Sequence, residues 1–210
     1  MKEFMMLLSG ICWSVVYIEL IHSGLKYKTY GMPLFALGLN FAWEVIYSID
    51  ELILGAASLQ GWVNLVWATL DAIIVYTYFK YGQKYYTDEV QKYFIPFSIL
   101  VFITCFAMQF AFYFQFDTVT ASQYSAFAQN AAMSIMFLVM LFQRKDTEGQ
   151  TILMAVAKWI GTFVPTILGG FLESINIYII IMGGICFVFD ALYTIFLKKK
   201  KIKNRSSEYI

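Results

Sequence analysis

Five ionisable residues, Glu19, Glu44, Asp71, Lys158 and Asp190, lie inside stretches that are otherwise apolar. A charge in hydrocarbon costs about 2.5–3.5 kcal/mol even on the mildest insertion scale, so each is a candidate functional group. Glu44 has the strongest context: Asn40, Trp43, Glu44, Tyr47 and Glu51 recur at i, i+3, i+4, i+7 and i+11, one stripe of a helix. Asp190 and Tyr193 repeat the acid-x-x-Tyr spacing of Glu44 and Tyr47. Asn64, Trp67 and Asp71 form another stripe, and Gln129, Asn130 and Ser134 add amides and a hydroxyl. Together these residues can line one polar-aromatic pocket. Desolvation disfavours the charged form of a carboxyl, so a protonated Glu44 could act as a general acid at neutral pH. Trp, Tyr and Phe faces stabilise cations through the ring quadrupole. A proton donor in an aromatic chamber suits cationic cyclisation of a polyene; proton-coupled carriers also use intramembrane carboxylates.

Other residues have plainer readings. Lys158 fits a buried partner for Asp190 or Asp71. Asn40, Asn64 and Asn130 also suit hydrogen bonds between helices, and Gly183-Gly184 suits close helix packing. Glu19 and His22 fall near an interface, where water reaches them. Cys12, Cys105 and Cys186 have no paired spacing and read as buried thiols. With one histidine and no Asp-rich motif, no metal is expected. Neither a nucleophile elbow nor a phosphate-cradling loop occurs, and no cofactor is expected.

The elements holding these groups must be membrane helices. Hydrophobic residues make up 60% of the 210 and charged residues 14%, with mean hydropathy +0.65, which excludes a soluble globule. A bilayer core takes about 20 apolar residues per helix, and seven segments supply them: Phe4–Ser23, Met32–Leu54, Gly61–Phe79, Phe94–Phe116, Thr118–Phe142, Thr151–Leu172 and Ile175–Leu197. The expected fold is an all-α membrane protein, a seven-transmembrane-helix bundle over residues 1–197, with a basic tail over 198–210. At ~1.5 Å per residue, Glu44 and Asp71 fall near the midplane and Asp190 and Lys158 in the cytoplasmic half. All fifteen basic residues except Lys2 and Lys158 fall in the 1–2, 3–4 and 5–6 loops or the tail. Positive loops stay cytoplasmic, which puts the N-terminus outside and the C-terminus inside. The tail KKKKIKNR reads as an anchor beside the anionic leaflet. Membrane lipid is the expected surrounding; no nucleic acid and no obligate protein partner are indicated.

The stretch TYGMPLFALGLNFAWEVIY (Thr29 to Tyr47) resembles the hallmark segment of the integral membrane terpene cyclases of fungal meroterpenoid and indole-diterpene pathways and their bacterial relatives. The similarity continues through WATLDAIIVYTYFKYG (Trp67 to Gly82) and QNAAMSIMFLVMLFQR to FDALYTIF (Phe189 to Phe196), most of the chain. The resemblance implies a metal-independent cyclase acting on a hydrophobic prenyl or prenylated substrate, with Glu44 and Asp190 as the protonating acids. Asn40, Trp43, Tyr47, Trp67, Asp71, Gln129, Asn130 and Tyr193 would line the pocket. A carrier of small solutes or lipids, or a non-catalytic lipid-binding bundle, is the other class. A retinal-type receptor would need its lysine in the last span, where there is none at depth.

Overall fold

The computed structural model describes residues 1–55 and 58–207, with the side chains of 205–207 outside the description. Arg205 of the basic tail therefore lies outside the described side chains. Seven long helices form among the described residues: α1 (Lys2–Tyr27), α2 (Leu34–Ile49), α3 (Leu59–Tyr81), α4 (Phe94–Gln115), α5 (Thr118–Gln143), α6 (Ile152–Ile167) and α7 (Ile177–Ser207). The α3–α4 connection adds a 3-10 turn, Gln83–Tyr85, and a one-turn helix, Asp88–Gln91. Six helical segments are long and apolar enough to cross a membrane: Lys2–Tyr27, Leu59–Tyr81, Phe94–Gln115, Thr118–Gln143, Ile152–Leu172 and Ile177–Asn204. The remaining long helix, α2, carries Glu44 and runs directly into Asp50 and Glu51.

Local chemistry sets the helix starts. Ser58, Asp117 and Thr151 cap α3, α5 and α6 by accepting from the backbone N–H of Gly61, Thr120 and Met154, which satisfies donors that a helix leaves open at its first turn. Pro33, with φ −58°, starts α2. Both α2 and α6 then widen into a π-helical turn, Asp50–Leu54 and Leu168–Leu172.

The helices alternate in direction. At the amino end of the bundle Ser9 donates to the Gly161 carbonyl and Lys2 pairs with Glu173; at the carboxyl end Thr151 donates to Glu19 and Lys200 to the Leu141 carbonyl. Helix α1 packs on α3 and α6, α6 on α7, α7 on α5, α5 on α2, and α2 on α3, closing a ring. Helix α4 packs outside it against α2 and α5. The carboxyl-end half of the ring is filled by Leu20, Met32, Leu37, Tyr78, Phe94, Phe137, Leu141, Met154, Tyr193 and Leu197, all buried. Two glycines permit close passage. A Cβ on Gly183 would stand 2.1 Å from Thr166 Cγ2, and one on Gly31 2.1 Å from the Gly149 carbonyl oxygen.

At the carboxyl end the Arg144 guanidinium lies 4.1 Å from the Tyr30 ring centre and 4.2 Å from that of Tyr85, and donates to the Tyr30 carbonyl at 2.7 Å. This residue, expected as a loop cation, is buried and closes that end. Helix α7 continues without a break through Lys198–Lys201 to Ser207, so the described part of the tail is helical.

Candidate active site

A cavity of about 1060 Å³ occupies the amino-end half of the ring. Its walls come from α1, α2, α3, α5 and α6 and include Trp13, Tyr17, Trp43, Trp67 and Phe127. Its lining includes the exposed Glu3, Met6, Leu7, Ile11, Ile18 and Leu59. Of the residues singled out by spacing, Asn40, Trp43, Glu44, Glu51, Trp67, Gln129 and Asn130 line it. Tyr47, Asp71, Tyr193, Lys158 and Asp190 are not in its wall, and neither α4 nor α7 contributes to it.

Helix α2 supplies the acid because its stripe turns inward over most of its length: Asn40, Glu44 and Tyr47 are all buried. Glu44 Oε1 accepts from Tyr17 Oη and, at 3.0 Å, from Asn40 Nδ2. The same Nδ2 lies 2.7 Å from Tyr17 Oη and 2.8 Å from Asp71 Oδ2. One amide thus joins two carboxyls from different helices, with Glu44 1% exposed and Asp71 0%. The amide is oriented from behind. Gln109 Nε2 donates to Gln129 Oε1 at 2.7 Å, and Gln129 Nε2 to Asn40 Oδ1 at 3.3 Å, so Asn40 must turn its NH₂ toward the carboxyls. Among the described residues no donor reaches Glu44 Oε2 or Asp71 Oδ1, and the two carboxyls lie within hydrogen-bonding reach of each other.

Aromatic side chains are locked around this acid. Trp67 Nε1 donates to Ser14 Oγ at 3.2 Å, and its ring lies 6.0 Å from that of Tyr17. Trp43 Nε1 donates to the Ser122 carbonyl at 3.0 Å, and Tyr47 packs behind it at 5.0 Å. With each polar edge occupied, a π face is what such rings offer the cavity, the surface a cation prefers.

Asp190 belongs to a different cluster. Lys158 Nζ reaches its Oδ1 at 2.8 Å and its Oδ2 at 2.9 Å, and donates to Ser134 Oγ at 2.7 Å. Both side chains are 1% exposed. Tyr193 donates to Gln150 Oε1 at 3.2 Å, away from the cavity wall. The sequence left Asp190 and Asp71 open as partners of Lys158; the partner is Asp190. Among the described residues no group of three or more His, Cys, Asp or Glu is placed to hold a metal.

Spacing alone missed Tyr17, Gln109 and Thr162. The signal for Tyr17 was present: Gly10, Trp13, Ser14 and Tyr17 follow i, i+3, i+4 and i+7 on α1, and all four line the cavity. Glu19 is half-buried on Thr151 and His22 is exposed.

A family description of Pyr4-like transmembrane terpene cyclases matches residues 1–201. The chain belongs to that family. Among named relatives, the Pyr4-like family member terpene cyclase pyr4 of Aspergillus fumigatus is 23% identical over 98% of this chain and 89% of its own. Terpene cyclase andB of Emericella variicolor is 30% identical over 73% of this chain and 65% of its own. Terpene cyclase ascF of Acremonium egyptiacum is 36% identical over 35% of this chain and 26% of its own. The chain thus spans just under two thirds of andB and about a quarter of ascF in these matches. No solved structure matches it.

Proposed function

We propose that this protein is a membrane terpene cyclase in which Glu44 starts a cationic cyclisation by donating a proton from Oε2. The observation that carries the reading is the Glu44 carboxyl itself. It lines a large aromatic cavity, one oxygen is held by Tyr17 and Asn40, and no donor among the described residues reaches the other. Like charges sharing a buried site do not both ionise. Glu44 and Asp71 share one amide, so the pair holds a proton between them. The substrate is a hydrophobic prenyl chain or prenylated small molecule whose terminal alkene or epoxide meets Oε2. Protonation moves the π or C–O electrons, internal alkenes close the rings, and Tyr17, Trp43, Trp67 and Phe127 face the migrating charge. Loss of a proton, or attack by a nucleophile on the substrate, ends the sequence and leaves a product isomeric with its substrate.

Asp190, matched by resemblance to the second acid, enters this reading as a positioning residue. It anchors Lys158 and thereby Ser134, one turn from Asn130 on α5. Helix α2 with its π turn (16 and 5 residues) is long enough to serve as a seventh span, its acids tolerated because they face the interior. The excess of cations in the 1–2, 3–4 and 5–6 loops supports an N-terminus outside and a C-terminus in the cytoplasm. A reporter fused after Lys203 should be active only if it works in the cytoplasm.

Expression in a host supplying linear prenyl or prenylated aromatic substrates, followed by mass spectrometry, tests the function. A cyclised product with the substrate's mass is expected; uptake without conversion would replace the cyclase reading with a carrier.

A further inference from the structure

The wall of the cavity holds a second set of unpartnered polar atoms, away from α2. Asn130 Oδ1 and Thr162 Oγ1 are buried and have no hydrogen-bond partner among the described residues, and both residues line the cavity. Thr162 is 2% exposed. Their placement follows from one contact. Lys158 Nζ to Ser134 Oγ, 2.7 Å, joins α6 to α5. Asn130 precedes Ser134 by four residues and Thr162 follows Lys158 by four. Because α5 and α6 run in opposite directions, both residues stand one turn toward the amino end of that contact.

A buried acceptor without a donor costs about 1–3 kcal/mol. Helix packing cannot explain this pair, since hydrogen bonds between helices are what the two atoms lack. Asn130 Oδ1 can only accept, and Thr162 Oγ1 can accept or donate. The complementary group is an O–H or N–H on a molecule inside the cavity. We propose that Asn130 and Thr162 form a polar subsite that binds a hydrogen-bond donor on the substrate, at a place distinct from the carbon or epoxide oxygen that meets Glu44. This rests on the cyclase reading for the identity of the substrate, but the subsite is defined by binding alone. The chain then selects prenyl molecules bearing a hydroxyl or N–H over those in which that group is capped. The donor also fixes how far along the cavity the prenyl chain sits, and so which double bond reaches Oε2.

The full chain in detergent or nanodiscs is titrated with farnesol and with farnesyl methyl ether, an otherwise matched probe lacking the donor. Quenching of tryptophan fluorescence reports occupancy, since Trp13, Trp43 and Trp67 line the cavity. Farnesol should bind about 3–10-fold more tightly than the ether, the ratio that one neutral hydrogen bond supplies. Thr162→Val keeps the volume and removes the hydroxyl, so the ratio should fall toward one; Thr162→Ser should keep it. Equal binding of the two probes to the native chain, saturable binding of neither, or an unchanged ratio in Thr162→Val overturns the subsite. Glu44→Gln should retain the probe preference while losing turnover. A Glu44→Gln protein that still cyclises substrate would overturn the acid assignment and leave the subsite standing.

Discussion

Two buried acids in this bundle share a local pattern and have opposite surroundings. Glu44 and Asp190 each precede a tyrosine by three residues, and each is about 1% exposed or less. Asp190 is gripped by a lysine at both oxygens. Glu44 meets a phenol, an amide and, both directly and through that amide, the Asp71 carboxyl. One acid is charge-neutralised and sits outside the cavity wall; the other keeps an oxygen that no donor among the described residues reaches and forms part of the wall. Lys158 neutralises one acid, whereas among the described residues no cation pairs with the Glu44 and Asp71 carboxyls. The contrast separates an acid that can give a proton away from one that organises its neighbours.

The largest expected effect tests the Glu44 half. Glu44→Gln preserves shape and the contacts on Oε1, so the chain should fold while turnover falls about 10²–10⁴-fold, the usual share of general acid catalysis. Product formation near the native rate would remove Glu44 as the donor. The next effect tests the Asp190 half. Lys158→Met leaves a buried carboxylate alone, at a cost of about 3–5 kcal/mol, and should cut the folded yield measured by size-exclusion chromatography. The double variant Lys158→Met/Asp190→Leu removes both charges and should recover that yield together with part of the turnover. A well-folded double variant with no turnover would make Asp190 a proton donor after all.

Smaller effects refine the comparison. Tyr17→Phe deletes one of two hydrogen bonds on Oε1, and a loss of about 2–10-fold in kcat with little change in folding is expected. Asp71→Asn keeps an oxygen for Asn40 and removes the second carboxyl; a turnover as low as that of Glu44→Gln would show that the shared proton resides on Asp71. Chelators such as EDTA should leave the initial rate unchanged, and inhibition that added divalent cation reverses would contradict proton-initiated chemistry.

The helices themselves were readable from the sequence, because apolar runs of membrane length have few alternatives. The α2 stripe was readable too, since spacing along one helix is a local property. Whether Lys158 pairs with Asp71 or Asp190 was not, because it depends on which helices become neighbours. The ring order places α6 against α7 and not against α3, and no periodicity encodes that. Tyr17 escaped for a related reason. A tyrosine in an apolar helix becomes informative only when a carboxyl from another helix is found opposite it. Arg144 has a second role that charge counting does not show: the cation of the α5–α6 loop is also buried and stacked on two rings.

The buried Arg144 and the packed half beneath the cavity have a consequence for traffic. The exposed residues that line the chamber include Glu3, Met6, Leu7, Ile11, Ile18 and Leu59, and the half beneath it is packed, so the chamber does not run through the bundle. Whatever enters must leave from the amino-end half of the ring. A flexible chain goes in and a stiffer, wider polycycle has to leave, which makes departure the slow leg of the journey. The expected signature is an initial burst followed by a slower steady rate, with accumulated product occupying the doorway against new arrivals.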